Sequence, residues 1–126
     1  MMVTGTCLCR DVTFHTDALP QEPTACHCGQ CRKQSGHVWA SAYVATSDLS
    51  ISGTVKWYAA SESAERGFCP RCGSLLFWRA PDEDTISFSL GALAAPTGIT
   101  LERHIFVADK GDYYEIADGL PQQVQD

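Results

Sequence analysis

The chain has 126 residues, 44% of them hydrophobic, and carries a formal net charge of −6 at pH 7 with a pI near 5.0. That length suits one domain burying roughly two-thirds of the surface its unfolded form exposes, and the acidic balance argues against general nucleic-acid binding, which needs a basic face to displace counterions from phosphates. No apolar run approaches the roughly 18 residues that suggest a membrane span, and the first residues lack a secretory pattern, so no membrane association and a cytoplasmic location are expected.

Taken in chain order, β-branched and aromatic enrichment or alternation predicts strands over residues 12–16, 38–45, 55–59, 74–79, 85–91 and 103–107. Pro20-Gln21-Glu22-Pro23, Ser52-Gly53, Pro81-Asp82, Pro96-Thr97-Gly98 and Lys110-Gly111-Asp112 punctuate them as turns. Helix signals are confined to short turns over 29–34 and 92–95, and the tail over 122–126 is expected to fray. Leu75-Leu76-Phe77-Trp78 reads as core filling, because large apolar side chains dominate buried positions. The expectation is a single mostly-β domain over 1–126, built of short antiparallel strands with very short helical turns.

Seven cysteines fall into three groups: Cys7-Leu8-Cys9, Cys26-His27-Cys28-Gly29-Gln30-Cys31 and Cys69-Pro70-Arg71-Cys72-Gly73. An odd count in a reducing compartment disfavours a disulfide framework and favours metal. Zinc holds sulfur at about 2.3 Å, so its ligands lie roughly 3.8 Å apart, a separation that short spacings reach locally. In the Cys69 group, proline presets a turn and glycine admits a positive φ, as a metal knuckle requires. In Cys7-Leu8-Cys9, strand alternation would send both thiols to one face.

The simplest partition joins Cys7, Cys9, Cys69 and Cys72 in a closed, structural four-thiolate site. It leaves Cys26, Cys28 and Cys31 as three ligands with one open position, the pattern of catalytic zinc. His27, His37 or His104 would close that position and make it structural; an iron–sulfur cluster lacks a clear fourth cysteine. Arg32 and Lys33 follow the reactive loop, where they would attract a carboxylate-bearing substrate or form a solvated turn. Ser35 and Gly36 are candidate groups near the metal, and His104 is a candidate proton carrier or a hydrogen-bonded core histidine.

With these residues the chain resembles the glutathione-dependent formaldehyde-activating enzyme family, whose domain is shared with centromere protein V. The likeness runs through Gly5-Thr6-Cys7-Leu8-Cys9-Arg10-Asp11-Val12-Thr13-Phe14, then Cys26-His27-Cys28-Gly29-Gln30-Cys31-Arg32-Lys33-Gln34-Ser35-Gly36, then Phe68-Cys69-Pro70-Arg71-Cys72-Gly73-Ser74-Leu75-Leu76-Phe77. Ser89-Leu90-Gly91-Ala92-Leu93 and the stretch from His104 to Lys110 add weaker matches. The resemblance implies a compact two-layer β fold and two zinc ions per chain, with Cys7, Cys9, Cys69 and Cys72 structural and Cys26, Cys28 and Cys31 holding the reactive metal. It also implies a carbon–sulfur lyase that joins a small-molecule thiol such as glutathione to formaldehyde, or cleaves the adduct. The chain is shorter than the named enzyme, which leaves fewer loop residues to enclose a tripeptide. A non-catalytic zinc module that binds a protein or nucleic acid is the alternative, with the acidic composition counting against the nucleic-acid form.

Overall fold

The structure, a computed structural model, describes residues 2–126. Its strands are β1 (Val3–Thr6), β2 (Thr13–Thr16), β3 (Gln21–Cys26), β4 (Trp39–Ala45), β5 (Ser50–Ser52), β6 (Lys56–Ala59), β7 (Glu65–Phe68), β8 (Leu75–Arg79), β9 (Thr85–Ser89) and β10 (Arg103–Ile105), with one short helix, α1 (Gly29–Ser35). They form a three-stranded sheet, ordered β1-β2-β5, and a seven-stranded sheet, ordered β10-β3-β4-β9-β8-β7-β6. The pairs are antiparallel, as expected, apart from β10, which runs parallel to β3.

Successive side chains on a strand point to opposite faces, so the larger sheet presents two different surfaces. On the inner face Ala42, Val44, Phe77, Ile86 and Phe88 meet Val3, Val12 and Phe14 from the smaller sheet and its β1–β2 connection. Phe14 is the keystone of that contact, its ring 5.1 Å edge-on from Phe77 and 5.6 Å from Phe88. Gly5 lies opposite Phe14 in register, and a Cβ there would run into the ring. On the other face, the register Tyr43↔Ser87, Ser87↔Trp78 and Trp78↔Arg66 draws one row across four strands. That row belongs to a cavity rather than to the core.

Four strands, β1, β3, β5 and β7, lie outside the sequence expectations, and one expected turn differs. Pro20-Gln21-Glu22-Pro23 is not a turn between strands but the start of β3: the register shifts between Gln21 and Thr24, and Glu22 takes φ 48°. A bulge absorbs the proline there, and the Pro23 carbonyl accepts from the Glu102 N–H at 2.8 Å. The tail, expected to fray, is hydrogen-bonded to the segment around β10: the Gln123 N–H donates to the His104 carbonyl at 2.9 Å, and the Phe106 and Val107 N–H groups donate to the Gln125 and Gln123 carbonyls. Among the described residues no helix is long and apolar enough to cross a membrane.

Phe77 has no exposed surface, whereas Leu8 is 85% exposed. Phe77→Ala should therefore lower unfolding free energy by about 3–5 kcal/mol, while Leu8→Ala should change it by less than about 0.5 kcal/mol. Chemical denaturation of both variants checks the pair.

Candidate metal centres

Cys7 directly follows β1, but Cys7-Leu8-Cys9 is a turn and not the strand its alternation suggested. The Arg10 N–H closes it onto the Cys7 carbonyl at 3.2 Å, with Arg10 at φ 71°. The two thiols thus converge because the chain bends around them, leaving Leu8 in solvent. Cys69 and Cys72 sit in the knuckle between β7 and β8. There the Gly73 N–H donates to the Cys69 carbonyl at 2.8 Å, and Gly73 takes the positive φ of 79° that the knuckle was expected to need.

These four sulfurs lie within 4.8 Å of one another, with Cys7–Cys9 at 3.6 Å and Cys9–Cys69 at 3.7 Å. Those separations fit the roughly 3.8 Å edge of a zinc–thiolate tetrahedron. Polar neighbours suit bound thiolates: the Val12 N–H donates to the Cys7 sulfur at 3.3 Å, and Ser74 Oγ lies 3.2 Å from the Cys72 sulfur. The Ser74 hydroxyl is the main reason the Cys72 thiol is lowered to about 5. Four protein sulfurs would leave a tetrahedral ion no vacancy.

The second group is assembled at one end of the seven-stranded sheet. Cys26 ends β3, Cys28 caps α1 by accepting from the Cys31 N–H at 3.3 Å, and Cys31 lies in the first turn of the helix. Gly36, at φ 85°, ends the helix with its N–H on the Arg32 carbonyl. The three sulfurs lie within 4.8 Å of one another and, among the described residues, no other His, Cys, Asp or Glu joins the group. Hydrogen bonds from Cys26 and then Cys31 hold the Cys28 thiol down to about 2, and Cys26, as the donor to Cys28, is raised. Three thiols so close together suit a soft divalent metal.

Arg66, which sequence reasoning did not single out, completes this centre. Its side chain is buried, its two terminal nitrogens lie 3.5 Å from the Cys31 sulfur, and one also lies 4.0 Å from that of Cys28. Nε donates to Gln30 Oε1 at 3.3 Å, which fixes the plane of the guanidinium. It lies three residues before Cys69 in β7, a strand outside the sequence expectations, and nothing local pairs it with thiols from the other end of the sheet. Arg32 and Lys33 do not take that role. Arg32 donates to the Asp109 carbonyl at 3.4 Å, Lys33 is exposed, and neither lines the cavity. Ser35 accepts from the His37 N–H in an exposed turn.

The histidines are engaged elsewhere. His27 Nε2 lies 2.9 Å from His104 Nδ1, His104 Nε2 lies 2.7 Å from Asp118 Oδ2, and the Tyr114 hydroxyl lies 2.5 Å from His27 Nδ1. An ionised Asp118 only accepts, so with neutral rings His104 donates from Nε2, His27 donates from Nε2, and Tyr114 donates to His27. Burial, then His104, lowers the His27 pKa, and the His104 hydrogen bond holds the Asp118 carboxyl below its ordinary range. Both ring nitrogens of His27 and His104 are used, and His37 Nδ1 faces the Tyr113 hydroxyl at 2.8 Å. The expectation that His104 is a hydrogen-bonded core residue fits this arrangement; closure of the three-cysteine group by a histidine does not.

A cavity of about 380 Å³ opens beside Cys26, Cys28 and Cys31, lined also by Arg66, Trp39 and Trp78. The four-cysteine group borders neither this cavity nor the groove beside β1 and β2.

The family model described as glutathione-dependent formaldehyde-activating enzyme matches residues 2–109. A Schizosaccharomyces pombe protein named as an uncharacterized lyase is 32% identical over 123 residues, which span 90% of this chain and 85% of that protein. A crystal structure of a Rhodobacter sphaeroides protein superposes with a TM-score of 0.59 at 24% identity, covering 77% of this chain and 90% of the other, and supports the fold.

The two centres should differ in their effect on stability. Cys7 and Cys9 meet Cys69 and Cys72 across some sixty residues, as the 60-residue separation of the Cys9–Cys69 contact shows, while Cys26 to Cys31 closes a short loop. A long closure removes more unfolded-chain entropy. Cys69→Ser should lower the melting temperature by roughly 10 °C or more, whereas Cys28→Ser should cost a few degrees at most. Elemental analysis should find two zinc ions per chain before substitution, and equal melting of the two variants would refute the division of labour.

Proposed function

We propose, from the premise that this chain belongs to the glutathione-dependent formaldehyde-activating enzyme family, that it is a zinc-dependent carbon–sulfur lyase-type enzyme acting as one unit over 1–126. In the reaction proposed, a thiol adds to formaldehyde or another small carbonyl compound. The sulfur forms the new bond to carbon, the carbonyl oxygen gains a proton, and the thiol loses one; the reverse step breaks the same carbon–sulfur bond. Glutathione is the thiol in the family's name.

One observation carries this reading: three sulfurs converge without a fourth protein ligand, and they do so at the wall of a cavity. On this reading Cys7, Cys9, Cys69 and Cys72 hold a structural zinc, and Cys26, Cys28 and Cys31 hold the reactive one. A zinc ion on those three thiolates would supply a position that favours thiolate over thiol beside the carbonyl carbon.

The protein's own groups do the rest. Three thiolates carry one negative charge more than zinc neutralises, and Arg66 brings the balance to zero, so that a fourth anionic sulfur meets a neutral site rather than a negative one. The contacts of its guanidinium with Cys31 and Cys28 put that charge where it is strongest. Gln30 holds the guanidinium plane, and the chain from Tyr114 through His27 and His104 to Asp118 braces the loop between Cys26 and Cys28. A non-catalytic binding module has less support, because the histidines that would close the site bond to other residues.

X-ray absorption on zinc-loaded protein tests the reading. Adding a thiol should raise the average sulfur coordination per zinc from about 3.5 to about 4, and calorimetry in buffers of different ionisation enthalpy should count a released proton. No change in either with glutathione and several smaller thiols would sink it. Arg66→Gln should retain both zinc ions yet weaken thiol binding by roughly 10- to 100-fold, with Arg66→Lys recovering part of the loss; unchanged affinity in Arg66→Gln would remove Arg66 from the mechanism.

A further inference from the structure

The cavity beside the three cysteines has walls of a definite kind. Trp39, Tyr43, Trp78, Ile105 and Phe106 supply its apolar surface, and Trp39 is pinned by its Nε1 donating to Ser89 Oγ at 2.6 Å. Its volume, about 380 Å³, lies near the lower end of the range that pockets for small ligands span. Two wall residues hold costly backbone conformations: Glu22 at φ 48° and Phe106 at φ 56°. Left-handed backbone is uncommon for side chains of this size and persists where the surroundings impose it, so this wall is a specified surface.

The charges around it nearly all have partners. Arg66 directs its nitrogens at Cys31, Cys28 and Gln30. Arg103 faces Glu22 at 3.7 Å and donates from Nε to Gln123 Oε1 at 3.1 Å. Asp126 adds a further acid to the lining. A ligand carboxylate entering here would lose water, compete with Glu22, Gln123 and the thiols for two arginines that already face acceptors, and lie near Glu22 and Asp126. Such a group is retained only when it is paired.

We infer that the thiol taken by this chain has a compact apolar or aromatic body without carboxylates, rather than being a tripeptide with two of them. The inference rests on the thiol-binding reading of the three-cysteine site and narrows its substrate class. The aromatic rings cover the body of the ligand while its sulfur reaches the position the three cysteines leave open, and Glu22 and Asp126 in the lining disfavour acidic thiols.

A matched pair of probes isolates the carboxylate: phenylmethanethiol, and the same molecule with a para carboxylate, 4-(sulfanylmethyl)benzoate. Glutathione is the third ligand. With zinc-loaded protein, calorimetry and quenching of tryptophan fluorescence should show phenylmethanethiol binding roughly tenfold or more tighter than either acidic thiol. Glu22→Gln should narrow the gap within the matched pair, and Trp78→Ala should weaken phenylmethanethiol while zinc content stays constant. Glutathione or the benzoate binding as tightly as phenylmethanethiol, with sulfur coordination rising normally, would overturn this inference and leave the thiol-binding reading standing. If no thiol binds at all, that reading fails and the inference falls with it.

Discussion

A single seven-stranded sheet serves two surfaces at once, and its alternation governs the rest of the molecule. The face that carries Ala42, Val44, Ile86 and Phe88 must be apolar, because it packs against Phe14 and its neighbours. The intervening residues are thereby committed to the opposite side, where Tyr43, Ser87, Trp78 and Arg66 stand in one cross-strand row. A one-residue slip in any of these strands would exchange core and cavity residues, so register and site are specified together. Packing of the inner face holds the outer face in place.

The two cysteine groups occupy this frame differently. The four-cysteine group joins the turn after β1 to the knuckle between β7 and β8, linking the smaller sheet to the larger one. Cys7 and Cys69 belong to the same buried cluster as the aromatic core, so the four-cysteine group and the hydrophobic contact reinforce one another. The three-cysteine group sits at the end of β3, with Trp39, Trp78 and Phe106 packed around it as a second, smaller cluster. Separation from the main core is what allows a cavity there without a gap in the packing that stabilises the fold.

Burying Arg66 among thiols has a counterpart in its electrostatics. A guanidinium stripped of water needs compensating acceptors, and three clustered sulfurs need compensating charge. Each meets the other's requirement, and Gln30 takes the remaining Nε donor. The hydrogen-bonded chain of Tyr114, His27, His104 and Asp118 performs a related task for the loop: it satisfies buried ring nitrogens, and it ties the segment after β10 to the residue between two of the thiols.

Much of this was legible along the chain. Cysteine spacings identified both groups, because a chelate of neighbouring thiols is a local property, and alternation located most of the larger sheet for the same reason. Local signals misread 20–23 as a turn, since a bulge that admits proline within a strand depends on the partner strand, and they read Cys7-Leu8-Cys9 as extended where Arg10 bends it back. Arg66 and the pairing of His27 with His104 were invisible for a different reason. Arg66 meets Cys31 across 35 residues and His27 meets His104 across 77. A bond of that span follows from the register of whole sheets, so the two cysteine groups were determined by the sequence read locally, while the charge, the hydrogen bonds and the aromatic wall around them were decided only when the strands came together.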